Sequence, residues 1–362
     1  MDRLIASHTS SSRRSVRPGN GACVPDPTGF EEWRLRGRES ERRGDTGAAL
    51  HQYDRALAAL PDPAGDTRAA DILRSMGSVY RERGEIDRAE RRYRESYALS
   101  ERLQYFDGTA HAGNWLGVIA MSRGHLAEAE AWFQRACRVA SRERIERLVG
   151  AIEQNLGILA NIRGDLDAAV IHYRSALRQF RSSGDEWMLG LVLNNLGLLH
   201  SDLSQWAEAE PAFDEAYDLA RRTGNTMLEN SVEVNRAEMA IGRRDWDTAL
   251  AACIRARAFA QLRNDRQREA EALKFQGIIA RERNALEEAA WHFNEAAVLA
   301  DQCDDRLLIA EVARETGELH IRCDRPDDAR IAFSRALDLF QALGARLDYA
   351  DAEARLAGIA TE

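Results

Sequence analysis

The sequence predicts an all-α protein: a solenoid of about eight helix-turn-helix repeats, completed by a C-terminal capping helix. Three observations support this fold class. One pattern of small and aromatic residues recurs every 40 residues, the spacings inside the pattern are helical, and only seven prolines occur among 362 residues. Repetition at a fixed period is typical of proteins in which each unit packs only against its neighbours.

The second helix of each repeat is marked by three residue columns. A small residue comes first: Ala49, Ala89, Ala129, Ala169, Ala209, Ala249, Ala289 and Ala329. Four positions later stand Tyr53, Tyr93, Phe133, Tyr173, Phe213, Cys253, Phe293 and Phe333. After three more positions come Ala56, Ser96, Ala136, Ala176, Ala216, Ala256, Ala296 and Ala336. These spacings place the columns on one helix face, so we expect close helix contacts at the small residues and aromatic rings between the helices.

The first helix of each repeat is marked by a column of glycines. Its members are Gly37, Gly77, Gly117, Gly157, Gly197, Gly277 and Gly317, with Ala237 in the sixth repeat. A glycine inside a helix costs about 1 kcal/mol relative to alanine. Its recurrence therefore indicates that another helix approaches closely at this position.

A tight turn joins the two helices of each repeat. Its central residue is Gly44, Gly84, Gly124 or Gly164 in the first half of the chain and Ser204, Arg244, Asn284 or Asp324 in the second. Glycine suits the left-handed conformation that ends many helices, asparagine often replaces it, and arginine is a poor substitute. The residue type therefore does not fix the turn geometry of the sixth repeat.

The chain divides into three segments by these patterns. Residues 1–27 are rich in Ser, Arg and Gly and are predicted to be a disordered tail. Residues 28–343 hold the eight repeats. In residues 344–362, the stretch from Leu347 to Ala360 is predicted to form an amphipathic helix, which would cover the apolar face of the last repeat.

The composition is that of an ordinary globular protein, with 44% hydrophobic residues, 30% charged residues and a formal net charge of −9. No apolar stretch is long enough for a membrane helix or for the centre of a signal peptide, so we expect a cytoplasmic protein that binds no membrane. The acidic balance argues against nucleic acid as the main partner, because phosphate binding needs clustered positive charge.

Residues with reactive or metal-binding side chains show no functional spacing. The five cysteines contain no C-x-x-C pair, and the eight histidines fall at unrelated repeat positions. This distribution fits neither a disulfide framework nor a zinc site. Phosphate-binding glycine loops and catalytic sequence motifs are also missing. We therefore expect no metal, no cofactor and no enzymatic activity.

The succession of glycine, turn, apolar residue, alanine, aromatic residue and alanine, as in NNLGLLHSDLSQWAEAEPAFDEAYDLA at residues 194–220, resembles the tetratricopeptide repeat family. The resemblance covers residues 30–343, although the usual unit has about 34 residues. Longer units of this sort are similar to those of kinesin light chains, Rap-type regulators and the sensor portions of large bacterial transcription activators. The resemblance implies a right-handed superhelix, whose concave groove is lined by the first helices and binds a partner.

Three asparagines recur at 40-residue spacing on the first helices: Asn155, Asn195 and Asn235. An amide offers both a donor and an acceptor, so such a column can hold the backbone of an extended peptide. The column resembles the asparagine ladders in the grooves of O-GlcNAc transferase and kinesin light chains. The alternative interpretation is that these amides stabilise contacts between neighbouring helices.

Further candidate residues line the same predicted groove. The first two repeats offer Arg34, Arg38, Arg74 and Arg81, the middle repeats offer Trp115, Val118, Met121, Gln154, Ile158, Asn161, Asn194 and Leu198, and the last two offer Lys274, Phe275, Arg281, Arg314 and Glu318. A basic entrance and an amphipathic floor suit a peptide or helix with acidic and apolar residues. In the alternative, each arginine belongs to an ion pair on a solvated helix face.

Two functions are compatible with this groove. We expect an interaction scaffold or adaptor that holds a peptide or helical segment of a partner protein. The alternative is a regulatory domain that senses a ligand or peptide and acts on a separate output protein in signalling or transcription control, as a bacterial regulator does. A structural role through end-to-end stacking of repeats is disfavoured by the charged C-terminal helix.

Overall fold

The computed structural model describes residues 29–343 and 345–359. These residues form seventeen α-helices and no strand. Sixteen helices make eight pairs with the predicted period, and the last is the predicted cap, so the all-α repeat fold is confirmed. The predicted tail, residues 1–27, lies outside the described residues, and the right-handed superhelical sense of the whole chain stays a prediction.

The helices alternate between first and second members of a repeat. The first helices are α1 (Phe30–Arg42), α3 (Thr67–Glu82), α5 (Phe106–Ser122), α7 (Glu146–Arg163), α9 (Glu186–Asp202), α11 (Thr226–Gly242), α13 (Arg266–Glu282) and α15 (Arg306–Arg322). The second helices are α2 (Thr46–Ala58), α4 (Ile86–Arg102), α6 (Leu126–Arg142), α8 (Leu166–Ser183), α10 (Trp206–Thr223), α12 (Trp246–Leu262), α14 (Leu286–Gln302) and α16 (Pro326–Leu343). The capping helix is α17 (Arg346–Ile359).

The glycine column and the aromatic column meet between the two helices of a repeat. A Cβ atom on Gly117 would lie 2.5 Å from Cε1 of Phe133, and one on Gly157 would lie 2.6 Å from Cε1 of Tyr173. Both distances are much shorter than a van der Waals contact, so the absent side chain is what makes room for the buried ring. The predicted packing reason for the glycine column is thereby confirmed.

The turns inside the repeats share one backbone conformation. Arg244 has a φ angle of 58°, and Ser204 and Asp324 both have 56°. The turn at Arg244 is held by bonds from Arg244 N to Ile241 O at 2.9 Å and from Asp245 N to Ala240 O at 2.8 Å. The sixth turn, whose geometry the residue type leaves open, therefore has the same left-handed conformation as the turns at Ser204 and Asp324.

The chain divides into two compact units, Met1–Val192 and Leu193–Glu362. The first unit holds repeats one to four and the beginning of α9, and the second unit holds the other repeats and the cap. In the second unit, Ala352 of α17 packs in one apolar cluster with Phe340, and Ile359 packs in another with Phe333. The capping helix thus covers the last apolar face, as expected for a solenoid end.

Candidate peptide-binding face

The first helices of neighbouring repeats touch through side chains, and we call this surface the first-helix face. It is formed by α1, α3, α5 and α7 in the first unit and by α11, α13 and α15 in the second. Polar contacts across it join residues 34, 37 or 41 positions apart. Residues at equivalent positions of different repeats therefore face the same sequence separation to their contact partners.

Two of the three predicted ladder asparagines bond to an amide of the preceding repeat. Asn155 Nδ2 donates to Asn114 Oδ1 at 2.9 Å, and Asn235 Nδ2 donates to Asn194 Oδ1 at 2.9 Å. Asn155 is 1% exposed and Asn235 7%. These bonds link neighbouring first helices, as the alternative interpretation of the column supposes. A role of the two asparagines in holding a peptide stays a prediction.

Gln154 stands in the same repeat position as Asn114 and Asn194, but its amide does not form the bond that they form. Its side chain is fully buried, and among the described residues neither Nε2 nor Oε1 has a hydrogen-bond partner. The hydroxyl of Tyr173, in the same repeat, is also buried without a partner. Such groups cost about 1–3 kcal/mol when nothing replaces the lost water. The fourth repeat therefore holds three buried polar atoms that bond to no other described residue.

The cations of the second unit are neutralised across the first-helix face. Lys274 Nζ lies 2.5 Å from Glu311 Oε2, and Arg281 Nη1 lies 2.8 Å from Glu315 Oε2. Both cations are buried, and each carboxylate belongs to the next repeat. The predicted site residue Lys274 thus has a carboxylate partner inside the protein.

Predicted cations at the two ends of the repeats pair with acids as well. Arg314 Nη1 lies 3.2 Å from Asp348 Oδ1 of the capping helix, and Arg34 Nη2 lies 2.6 Å from Glu31 Oε2 one turn away. Arg38 differs, since it is exposed and forms no ion pair with a described carboxylate. The positive charge of the predicted basic entrance is therefore partly neutralised by Glu31 of the same helix as Arg34.

Arg81 and Trp115 form a different arrangement in the first unit. The Arg81 guanidinium lies over the Trp115 ring, 4.8 Å from its centroid, and Trp115 stacks on Tyr93 with 5.8 Å between ring centroids. The Tyr93 hydroxyl lies 3.1 Å from Ser78 Oγ. Arg81 forms no ion pair with a described carboxylate, and its buried Nε has no hydrogen-bond partner there. An aromatic ring thus occupies the place of a counterion.

Arg74 lies one turn before Ser78 on α3. Its Nη2 donates to Asp71 Oδ1 at 2.9 Å, while its buried Nε has no partner among the described residues. Burial, together with the positive charge of Arg74, lowers the pKa of His111 well below its usual range, so this imidazole is neutral near pH 7. We use the name arginine–tryptophan cluster for Arg74, Ser78, Arg81, Tyr93 and Trp115.

Three apolar residues predicted for the groove floor lie in the core instead. Val118 is 2% exposed, Ile158 1% and Met121 0%. Their side chains fill the space between packed helices, so this part of the prediction is wrong. The sequence pattern could not separate an apolar floor from an apolar core, because both place apolar residues on the same helix.

Sequence reasoning missed Asn114, His111, Ser78 and Tyr93. The predicted columns relate residues one full period apart, whereas the contacts join residues 34, 37 or 41 positions apart. A signal was present in the recurrence of one amide pair, since asparagines stand at 114 and 155 and again at 194 and 235.

Within residues 29–343 and 345–359, no helix is both long and apolar enough to cross a membrane. The same residues contain no group of three or more His, Cys, Asp and Glu side chains that could hold a metal ion.

Two stretches of the sequence match tetratricopeptide repeat models. One match spans residues 74–143 and the other spans residues 191–223. The chain therefore carries tetratricopeptide repeats, as the residue pattern predicted. Comparison with curated protein sequences gives no significant match.

Solved structures with the same fold share little sequence with this chain. The apo form of the quorum sensor NprR from B. thuringiensis is 12% identical, with a TM-score of 0.68 over 86% of this chain and 87% of that one. A STAND protein with a tetratricopeptide repeat sensor from Pyrococcus horikoshii is 17% identical, with a TM-score of 0.64 over 88% of this chain and 49% of that one. The Rap conjugation gene regulator of plasmid pLS20, in complex with the Phr* peptide, is 16% identical, with a TM-score of 0.57 over 76% and 74%.

Proposed function

We propose that this tetratricopeptide-repeat chain is an adaptor that binds a peptide segment of a partner on the first-helix face of its first unit. The observation that carries the proposal is a set of buried polar atoms without partners among the described residues. They are Nε of Arg74, Nε of Arg81 and both amide atoms of Gln154. An extended peptide offers one N–H and one C=O per residue and can satisfy such atoms once the side chains that cover them move aside.

The location in the first unit is supported by the contrast with the second. There, Lys274 and Arg281 already have carboxylate partners. A ligand would have to break these buried pairs, and an uncompensated buried charge costs about 3–5 kcal/mol. The first unit needs no such rupture at Arg81 or Gln154, so a peptide binds there at lower cost.

A second function, a peptide-sensing regulator that acts on a separate output protein, is favoured by the likeness in fold to a quorum sensor and to a peptide-bound Rap regulator. Both functions require the same peptide-binding step. Either one is compatible with the cytoplasm as the place of action.

The test uses a synthetic pool of random nonapeptides and mass spectrometry of the peptides that stay with the protein after gel filtration. We expect the parent protein to retain a defined subset of the pool. Replacing Gln154→Leu removes the unpartnered amide and should reduce the retained amount about fivefold or more, since it deletes hydrogen bonds to the ligand. The melting temperature should not fall.

Gln276→Leu is the matched control, because Gln276 is also buried with an unpartnered oxygen but belongs to the second unit. It should leave retention unchanged. A parent protein that retains no peptide would contradict the proposed function. Equal losses of retained peptide in the two variants would contradict the placement of the binding surface on the first unit.

A further inference from the structure

Arg81 and Arg281 hold the same position of their first helices, five periods apart in the sequence. In the second unit Arg281 reaches Glu315, 34 residues later, with 2.8 Å between Nη1 and Oε2. In the first unit the residue 34 positions after Arg81 is Trp115, whose ring lies under the guanidinium. The equivalent arginines thus contact a carboxylate in the second unit and an indole ring in the first.

A second pair of equivalent cations shows the same exchange. Lys274 reaches Glu311, 37 residues later, with 2.5 Å between Nζ and Oε2. Arg74 stands in the equivalent position, and 37 residues later the chain has His111. At both positions the first unit has a cation, as the second unit does. It lacks the acidic residue that pairs with that cation in the second unit.

The charge that remains in the first unit is only partly compensated from within. Arg74 retains a bond to Asp71, but Arg81 has no described carboxylate partner, and both residues have a buried Nε without a bond. Contact with Trp115 holds the plane of the Arg81 guanidinium, and the donors at its edge match the two oxygens of a carboxylate. The site is therefore ordered before a ligand arrives.

We infer that the arginine–tryptophan cluster binds a carboxylate of the ligand, which takes at Arg81 and Arg74 the place that Glu315 and Glu311 take in the second unit. The ligand is then an acidic peptide, bound through an Asp or Glu side chain or through a free C-terminus. This inference rests on the proposed function and gives it a ligand class. Trp115 and His111 act as specificity-determining residues, because an acid at either position would occupy the site from within.

The experiment compares three synthetic nonapeptide pools on the full chain, using the same gel-filtration retention. One pool contains Asp and Glu and has amidated C-termini, one lacks acids and has free C-termini, and one lacks acids and has amidated C-termini. We expect the parent to retain at least one carboxylate-bearing pool about tenfold more than the neutral amidated pool. The two carboxylate-bearing pools distinguish a side-chain carboxylate from a terminal one.

Trp115→Glu introduces into the first unit the acid that Arg281 meets in the second. We expect it to abolish the preference for carboxylate-bearing pools and to leave retention of the neutral pool unchanged. Arg81→Gln keeps the Trp115 ring and should remove the same preference, so it decides the question if the glutamate variant does not fold. Arg91→Gln, on the exposed side of α4, is the matched charge control and should behave like the parent.

Equal retention of all three pools by the parent would overturn the inference while leaving the proposed function in place. The inference would also be overturned by an Arg81→Gln protein that still prefers acidic peptides. Retention of none of the pools would overturn the proposed function together with the inference.

Discussion

Two pairs of buried asparagines on the first-helix face are hydrogen-bond partners for each other. Asn155 donates to Asn114 in the first unit, and Asn235 donates to Asn194 in the second, at the same distance and the same separation in sequence. The repetition of one bond in two units indicates that it belongs to the packing of first helices. Asn155 and Asn235 therefore join neighbouring repeats, whether or not the face also binds a ligand.

Asn155→Ala tests this role of the amide pair. The change leaves Asn114 Oδ1 without its donor in a buried place, so we expect a loss of about 1–3 kcal/mol in the free energy of unfolding. Urea denaturation of the parent and the variant measures it. The double variant Asn114→Ala and Asn155→Ala should lose less than the sum of the two single losses, because no amide is then left unpaired.

Asn161→Ala provides the control on the same helix, since Asn161 is partly exposed. It should change the free energy of unfolding by less than about 0.5 kcal/mol. Strictly additive losses in the two amide variants would show that the bond between Asn114 and Asn155 contributes nothing to stability.

At the scale of the helix pair, the sixth repeat departs from its neighbours in two places at once. Ala237 stands where the other repeats have glycine, and Cys253 stands where they have an aromatic residue. Both side chains are buried, and they share one apolar cluster with Phe275. The additional methyl group on the first helix is thus matched by a smaller side chain on the second.

Cys253→Phe should overpack this helix pair and cost about 1–3 kcal/mol of stability, because the Ala237 methyl occupies the space of the ring. Ala237→Gly alone should cost about 1 kcal/mol through helix propensity and lost contact. Thermal denaturation of the double variant should show a smaller loss than the sum, since the pair then matches Gly117 and Phe133 of the third repeat. Additive losses would contradict the coupling of the two positions.

Elements were more predictable from the sequence than contacts. The eight helix pairs follow from the 40-residue period, and the cap follows from the amphipathic stretch after the last repeat. The geometry of the turn at Arg244 did not follow from the sequence, since a left-handed residue costs about 1–2 kcal/mol locally, and the two backbone bonds that offset this cost are not visible in the residue type. The burial of Val118 and the pairing of Lys274 depend on neighbouring helices, which the sequence of one repeat does not contain.

At the scale of the whole molecule, stability comes from short-range packing repeated many times. Within each unit the main helix contacts join consecutive helices, and weaker ones join consecutive first helices such as α5 and α7 or α13 and α15. A solenoid of this kind has a stability that is nearly a sum of repeat terms and nearest-neighbour terms. A substitution that destabilises one repeat should therefore affect mainly that repeat and its two neighbours.

Gly277→Ala in the seventh repeat tests this locality, because its Cβ would lie 2.5 Å from Cε1 of Phe293 and force the helix pair apart. Hydrogen exchange followed by mass spectrometry should show the largest loss of amide protection in α13 and α14, a smaller loss in the sixth and eighth repeats, and parental protection in α3 and α4. Gly358→Ala is the control, since a Cβ there would meet no atom within 4 Å, and it should leave every repeat as protected as in the parent. An equal loss of protection in all eight repeats would mean that the chain opens as one cooperative body, and the nearest-neighbour account of its stability would then be wrong.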